Sequence, residues 1–125
     1  MMKEWSVFAA DELPEGGVRE FAVGDEVWPF KGFVLRKDGT LFAWVNRCPH
    51  AGHPLNLDLD AFYTADKRHL ICMSHGALFE PDSGECVAGP CIGQLLTALN
   101  CEERDGTVWV TAPDSMRSLE ELTGG

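Results

Sequence analysis

The chain has 125 residues, 45% of them hydrophobic, which fits one domain with a core of its own. Lys and Arg number 10 and Asp and Glu 20, a formal net charge of −10. This charge argues against nucleic acid, whose phosphates need clustered Lys and Arg, and against an anionic membrane surface. No signal-like apolar start and no apolar stretch of roughly 20 residues is present, so we expect a cytoplasmic protein.

Short segments rich in β-branched and aromatic residues alternate with turn signals along most of the chain. We predict strands at 4–8, 18–23, 33–37, 40–45, 70–73, 77–80, 85–88, 96–101 and 108–112. Turn sequences containing Asp and Gly lie between strands at 38–39, 82–84 and 104–106. The pattern predicts an all-β protein with antiparallel strands in a sandwich or barrel-like arrangement.

The C-terminal end has a different pattern. Asp114 can cap a short helix that passes through Leu119 and Leu122 and stops at Gly124. We therefore assign residues 1–113 to one β domain and residues 114–125 to a tail that contains this helix.

Two short cysteine–histidine pairs each follow a predicted strand: Cys48 with His50, and Cys72 with His75. Loops carried by a rigid sheet often hold binding groups. Two thiolates and two imidazoles can complete the coordination of one zinc ion. They can equally hold a two-iron cluster in which histidines replace cysteines on one iron. The first alternative is a structural or interaction module, and the second is an electron carrier.

The residues around the two pairs resemble the cluster-binding loops of Rieske [2Fe-2S] proteins. Residues 48–55 (CPHAGHPL) resemble the first loop of that family and residues 72–79 (CMSHGALF) the second. Gly84 matches the turn glycine of the family, and Gly89-Pro90 resembles the proline loop that covers the cluster from a third side. The resemblance extends over about 5–112.

This resemblance implies one Rieske-type [2Fe-2S] cluster with Cys48, His50, Cys72 and His75 as iron ligands. The cluster-binding region would then occupy about 46–91. A zinc-stabilised interaction module is the remaining alternative, because zinc would use the same four side chains. Structural zinc sites do not require a third glycine–proline loop, however, and this favours the cluster.

The positions that raise the reduction potential in part of the family hold other residues in this chain. Rieske proteins of high potential join the two loops by a disulfide and direct a serine and a tyrosine hydroxyl toward the cluster sulfurs. Here the matching positions are His53, Ser74, Ala77 and Phe79. Because hydrogen bonds to the sulfurs stabilise the reduced state, the resemblance implies a low potential, of order −150 mV.

The resemblance to the soluble members of the family implies a ferredoxin that carries single electrons from a flavin-dependent reductase to a terminal oxygenase. We expect a monomer that forms transient complexes. Rieske oxygenases also need a mononuclear iron held by two histidines and a carboxylate. Beyond the four ligands only His53 and His69 remain, so we expect no substrate site. The alternative is a small Rieske-type subunit of a nitrite-reductase-like or other redox complex, with a regulatory or structural cluster.

Three cysteines lie outside the two cysteine–histidine pairs: Cys86, Cys91 and Cys101. We expect all three to be small buried core residues, with Cys91 near the cluster because it follows the proline loop. The separation of Cys86 from Cys91 permits a disulfide, but a reducing cytosol disfavours it.

The connection at 51–71 is a few residues longer than is usual in small Rieske ferredoxins. We expect the extra length in the polar stretch 58–68, where Asp58 and Asp60 would steer a partner. Leu55 and Pro90 are expected to form an apolar contact patch with the ligand histidines. The stretch 28–30, which contains Trp28, is expected to be an exposed loop.

Overall fold

The computed structural model describes residues 2–49, 54–56, 62–72 and 76–116. These residues form nine β-strands and one short 3-10 helix, Ala10–Glu12. The strands are β1 (Lys3–Ala9), β2 (Val18–Val23), β3 (Phe30–Lys37), β4 (Thr40–Val45), β5 (Leu70–Ile71), β6 (Leu78–Phe79), β7 (Cys86–Ala88), β8 (Ala98–Arg104) and β9 (Thr107–Ala112). Across the described ranges, no helix has the length and apolar character needed to cross a membrane.

The strands form two antiparallel sheets. Six of them form a sheet in the order β1-β9-β8-β4-β3-β2, and the other three form a small sheet in the order β5-β6-β7. The edge strands β1 and β2 also contact each other, so the large sheet nearly closes on itself. The predicted all-β, barrel-like fold is confirmed.

Two hairpins of the large sheet turn through an Asp-Gly pair with positive φ at both residues. Asp38 and Gly39 have φ of 53° and 77°, and Asp105 and Gly106 have φ of 50° and 79°. Two consecutive positive φ values are typical of the two-residue type I′ turn, whose twist matches that of the flanking strands. The prediction of a turn at 104–106 is wrong for Arg104, which pairs with Thr107 as the last residue of β8.

Strand β3 begins three residues earlier than predicted, at Phe30 rather than Phe33. Phe30 is completely buried, so the expected exposed loop at 28–30 is reduced to Trp28, which is 51% exposed. Gly32 weakens the strand pattern in the sequence, but a Cβ atom at Gly32 would lie 2.6 Å from the Phe21 ring of the adjacent strand. The fold thus needs a glycine inside this strand.

The core has two parts, one on each face of the large sheet. On β3, Val34 belongs to one part, whereas Phe33 and Leu35 belong to the other. This alternation follows the two-residue period of a strand. The second part, to which Phe33 and Leu35 belong, lies between the large and small sheets and contains the cysteines of both cysteine–histidine pairs.

The long connection between the two pairs returns to this second part of the core. Phe62 is completely buried, and its ring stacks on Phe33 with the centroids 4.2 Å apart. The Ile71 amide donates to the Phe62 carbonyl at 2.8 Å. The expectation of a polar insertion at 58–68 is therefore wrong at Phe62, which anchors the connection, while residues 57–61 lie outside the described residues.

The chain following β9 packs against the β2–β3 connection. The Asp25 amide donates to the Asp114 carbonyl at 2.7 Å, and the Met116 amide donates to the Trp28 carbonyl at 3.3 Å. Most of the predicted C-terminal helix falls in 117–125, outside the described residues.

Substitution of Gly24 by alanine is expected to lower the free energy of unfolding by at least about 2 kcal/mol. Gly24 has φ of 88°, and a Cβ atom there would lie 2.1 Å from the Asp114 carbonyl oxygen. The alanine must therefore adopt an unfavourable backbone conformation and also displace the C-terminal segment. Urea denaturation of Gly24→Ala measures the effect. Gly16→Ala is the matched control, because Gly16 has φ of 80° with no atom near its Cβ position. Equal losses in the two variants would contradict the packing argument.

Candidate metal centre

The first loop of the centre begins directly after β4 and is closed by the side chain of Asn46. The Leu55 amide donates to the Asn46 Oδ1 atom at 2.8 Å. Asn46 is 3% exposed, and Cys48, two residues later, is completely buried. One buried side chain thus joins the two ends of the loop that contains Cys48.

The same asparagine connects the loop to the edge of the large sheet. Asn46 Nδ2 donates to Asn56 Oδ1 at 2.8 Å, and Asn56 Nδ2 donates to the Glu20 carboxylate at 2.5 Å. Since Glu20 lies on β2, the loop is fixed to a strand far from it in sequence. Nothing in the local sequence indicates this network, because its members contact one another only through the tertiary fold.

The second loop follows β5 and is closed by backbone hydrogen bonds. The Gly76 amide donates to the Cys72 carbonyl at 2.8 Å, and the Cys72 amide donates to the Ala77 carbonyl at 2.8 Å. Gly76 has φ of 74°, a conformation that glycine adopts at little cost. Cys72 and Ala77 are both completely buried.

The third loop connects β7 to β8 and packs on the second. A Cβ atom at Gly89, whose φ is 98°, would lie 2.8 Å from the Ala77 Cα atom. Only glycine therefore lets the Gly89-Pro90 segment approach the cysteine–histidine loop this closely. The structure thus places the third loop directly against the second.

The three loops meet in the core between the two sheets. Cys48 and Cys72 are both completely buried there, as are Ala77, Phe79 and Cys86. His50, His53, Ser74 and His75 lie outside the described residues. Within the described ranges, no group of three or more His, Cys, Asp or Glu side chains forms a metal site.

The family model of the Rieske [2Fe-2S] domain matches residues 3–103. The chain belongs to the Rieske family. No curated protein sequence matches the chain, so the Rieske assignment depends on the family model and on the fold.

Several solved structures share the Rieske fold at low sequence identity. A fluorene-bound oxygenase–ferredoxin complex of carbazole 1,9a-dioxygenase is 23% identical, with a TM-score of 0.69 over 86% of this chain and 28% of the other. A complex of reduced oxygenase and oxidised ferredoxin of carbazole 1,9a-dioxygenase is 22% identical, with a TM-score of 0.67 over 90% of this chain and 96% of the other. The ferredoxin of carbazole 1,9a-dioxygenase from Nocardioides aromaticivorans IC177 is 22% identical, with a TM-score of 0.63 over 89% of this chain and 98% of the other. The chain thus spans little more than a quarter of the first of these structures.

As a Rieske protein, the chain has a [2Fe-2S] cluster as its cofactor, and its described residues fit that group. Two buried cysteines from separate loops can supply the soft thiolates that iron–sulfur clusters require. Ala77 and Phe79, which follow the second pair, are completely buried, and their side chains carry no hydrogen-bond donor. The family match gives no support to the zinc alternative.

The remaining cysteines differ in how deeply they lie in the Rieske domain. Cys86 and Cys91 are buried as expected, whereas Cys101 is only partly buried. Burial raises the pKa of the Cys101 thiol to about 11. The pKa of Cys91 rises to about 12, first through burial and then through contacts with Cys86 and Cys48. Cys91 thus lies close to Cys48, the cysteine of the first pair.

Leu55 does not contribute to the expected apolar contact patch. Its side chain is completely buried in the same part of the core as Cys48, whereas Pro90 is exposed as expected. The exposed apolar residues of this region are instead Val87, Ile92 and Leu95, at 39%, 67% and 60% exposure. The prediction for Leu55 is wrong because an apolar residue after a loop has the same local sequence pattern whether its side chain faces the core or the solvent.

Replacement of Asn46 by alanine is expected to lower the free energy of unfolding by about 1–3 kcal/mol, because the Leu55 amide then loses its buried acceptor. The loop that contains Cys48 would also lose its closure, so we expect faster loss of the visible cluster absorption on warming. Thermal unfolding and absorption decay measure the two effects. Asn100→Ala, which changes an exposed asparagine on β8, is the control. Similar behaviour of the two variants would contradict the proposed role of Asn46.

Proposed function

We propose that Cys48, His50, Cys72 and His75 hold the [2Fe-2S] cluster. The complete burial of Cys48 and Cys72 in one core, at loops closed by short hydrogen bonds, supports this assignment. The two histidines follow their cysteines by two and three residues in the same loops. When bound, the cluster accepts and releases one electron, and the surrounding chain excludes water and keeps the ligand loops in place.

We further propose that the protein is a one-electron carrier, a Rieske ferredoxin of low potential without a substrate site of its own. The observation that carries this proposal is the match of 89% of the chain to 98% of the ferredoxin from Nocardioides aromaticivorans IC177. The oxygenase–ferredoxin complexes with the same fold support a terminal oxygenase as the electron acceptor. A flavin-dependent reductase would be the donor, and the carrier would act in the cytoplasm as a monomer.

The surface for these encounters is the apolar group formed by Val87, Ile92 and Leu95 beside the exposed Pro90. Complexes between redox proteins are small and transient, and they bury less than about 1,200 Å². An apolar centre supplies contact without the desolvation of charges, while the net charge of −10 attracts partners that carry basic residues. A reductase or oxygenase with a basic rim around an apolar contact fits this surface.

Stopped-flow kinetics with an NAD(P)H-dependent flavin reductase and a terminal oxygenase test the function. We expect rapid reduction of the cluster, followed by reoxidation by the oxygenase, at rates that fall as ionic strength increases. Ile92→Ser is expected to slow both steps. Val27→Ser, at an exposed apolar position in the β2–β3 connection (76% against 67% for Ile92), should not. Reduction without transfer to an oxygenase would favour the accessory-subunit alternative, and a flat salt response would contradict electrostatic steering.

A further inference from the structure

Two cysteines outside the proposed ligand set lie directly against each other in the core. The Cys91 and Cys86 Sγ atoms are 3.0 Å apart. Cys86 is completely buried and Cys91 is 1% exposed, so both thiols belong to the dry region between the sheets. Cys86 Sγ also lies 3.2 Å from the Ala88 carbonyl oxygen.

The backbone fixes this contact. The Cys86 amide donates to the Gln94 carbonyl at 2.8 Å, and the Gly93 amide donates back to the Cys86 carbonyl at 3.0 Å. The Gln94 amide donates to the Cys91 carbonyl at 2.9 Å. These hydrogen bonds close the segment 87–93 into a loop that places Cys91 against Cys86.

We propose that Cys86 and Cys91 are a modification site, a dithiol that a peroxide converts to a reversible disulfide. A disulfide has its sulfurs about 2.05 Å apart, so the two atoms must approach by only about 1 Å. Because both thiols are buried, the peroxide reaches them when the 87–93 loop opens transiently. In the first step the Cys86 sulfur attacks one peroxide oxygen, the O–O bond breaks, and Cys86 becomes a sulfenic acid, while the thiol proton passes to the departing hydroxide and water leaves. In the second step the Cys91 sulfur attacks the Cys86 sulfur, the S–O bond breaks, and water leaves. Two thiols and one hydrogen peroxide thus give one disulfide and two waters.

The disulfide would act on the loop that faces the cysteine–histidine region. Cys86 and Cys91 flank Gly89, which packs on the backbone of Ala77. The disulfide would fix this loop against the second cysteine–histidine loop, so we expect the cluster to be lost more slowly on warming. This last consequence depends on the proposed ligation by Cys72, whereas disulfide formation does not.

Alkylation and peptide mass spectrometry test the modification on the cluster-loaded protein. Samples treated with stoichiometric hydrogen peroxide under anaerobic conditions are quenched with N-ethylmaleimide under denaturing conditions. We expect one peptide that contains both Cys86 and Cys91 without alkylation and lighter by two hydrogens than the dithiol peptide, and dithiothreitol should make both cysteines available for alkylation. Cys101→Ser should give the same product, and Cys86→Ala and Cys91→Ala should give none. Separate alkylation of Cys86 and Cys91 after peroxide treatment, or a link from Cys91 to Cys48, would overturn the proposal.

Decay of the visible cluster absorption on warming of the same samples tests the effect on the loop. The disulfide form should lose the absorption more slowly than the dithiol form, and dithiothreitol should remove the difference. Equal decay in a sample whose disulfide is verified by mass would overturn the effect on the cluster. Because the mass measurement requires no reductase or oxygenase, its outcome is independent of the proposed electron-carrier function.

Discussion

Replacement of Cys72 by serine is expected to abolish the [2Fe-2S] cluster, with iron and acid-labile sulfide falling more than about 10-fold below the wild-type content. A serine hydroxyl stays protonated at neutral pH and is a poor ligand for iron, which in these clusters is held by thiolate. Cys72 is also completely buried, so no water-exposed group can take its place. Iron analysis, sulfide analysis and the visible spectrum of freshly purified protein measure the loss, and Cys48→Ser should behave in the same way.

The structure supplies sharp controls for this prediction. Cys101 is partly buried and packs against the part of the core that does not contain Cys48 and Cys72. Cys101→Ser should therefore retain full iron and sulfide. Cys86→Ala should also retain full iron and sulfide. It is the stricter control, because Cys86 lies in the same core as Cys48 and Cys72 and would be the alternative thiolate ligand. Full loading of Cys72→Ser together with loss of loading in Cys86→Ala would move the ligand assignment from Cys72 to Cys86.

The features that the sequence predicts well are those that a few adjacent residues determine. The turn at Asp38-Gly39 follows from residues that tolerate positive φ, and the observed φ values confirm it. Strands β2 and β4 have the predicted bounds, because β-branched and aromatic residues there continue to a clear turn. The resemblance of the cysteine–histidine loops to the Rieske motif is local in the same sense.

The features that the sequence does not reveal depend on residues brought together by the fold. The closure of the first loop needs Asn46 to reach Leu55, and its attachment to the sheet needs Glu20. The contact of Cys91 with Cys86 depends on the path of a loop rather than on the separation of five residues. Phe62 stands in a polar stretch, and only its stacking on Phe33 shows it to be part of the core. In each case a pattern over neighbouring residues carries no information about the distant partner.

The side chains of Ala77 and Phe79 carry no hydroxyl, and this leads to the second prediction: Phe79→Tyr and Ala77→Ser should each raise the reduction potential. Both side chains are completely buried in the core that contains Cys48 and Cys72. A hydroxyl that donates to a cluster or ligand sulfur interacts more strongly with the reduced state, which carries one more negative charge. A hydrogen bond to a charged group contributes about 1.5 kcal/mol, which for one electron corresponds to about 65 mV. The starting value is expected near the low end of the Rieske range, of order −150 mV.

Protein-film voltammetry of the wild type and the two variants measures these shifts directly. Phe42→Tyr is the matched control, because Phe42 packs against the same core from β4 but does not belong to a cysteine–histidine loop, so its hydroxyl should leave the potential unchanged. A shift of the same size in Phe42→Tyr would mean that the potential responds to general polarity of the core rather than to a directed donor. If neither Phe79→Tyr nor Ala77→Ser shifts the potential although both retain the cluster, these positions do not face the sulfurs. The low potential would then have to come from the acidic charge of the protein, and its value should rise as added salt screens that charge.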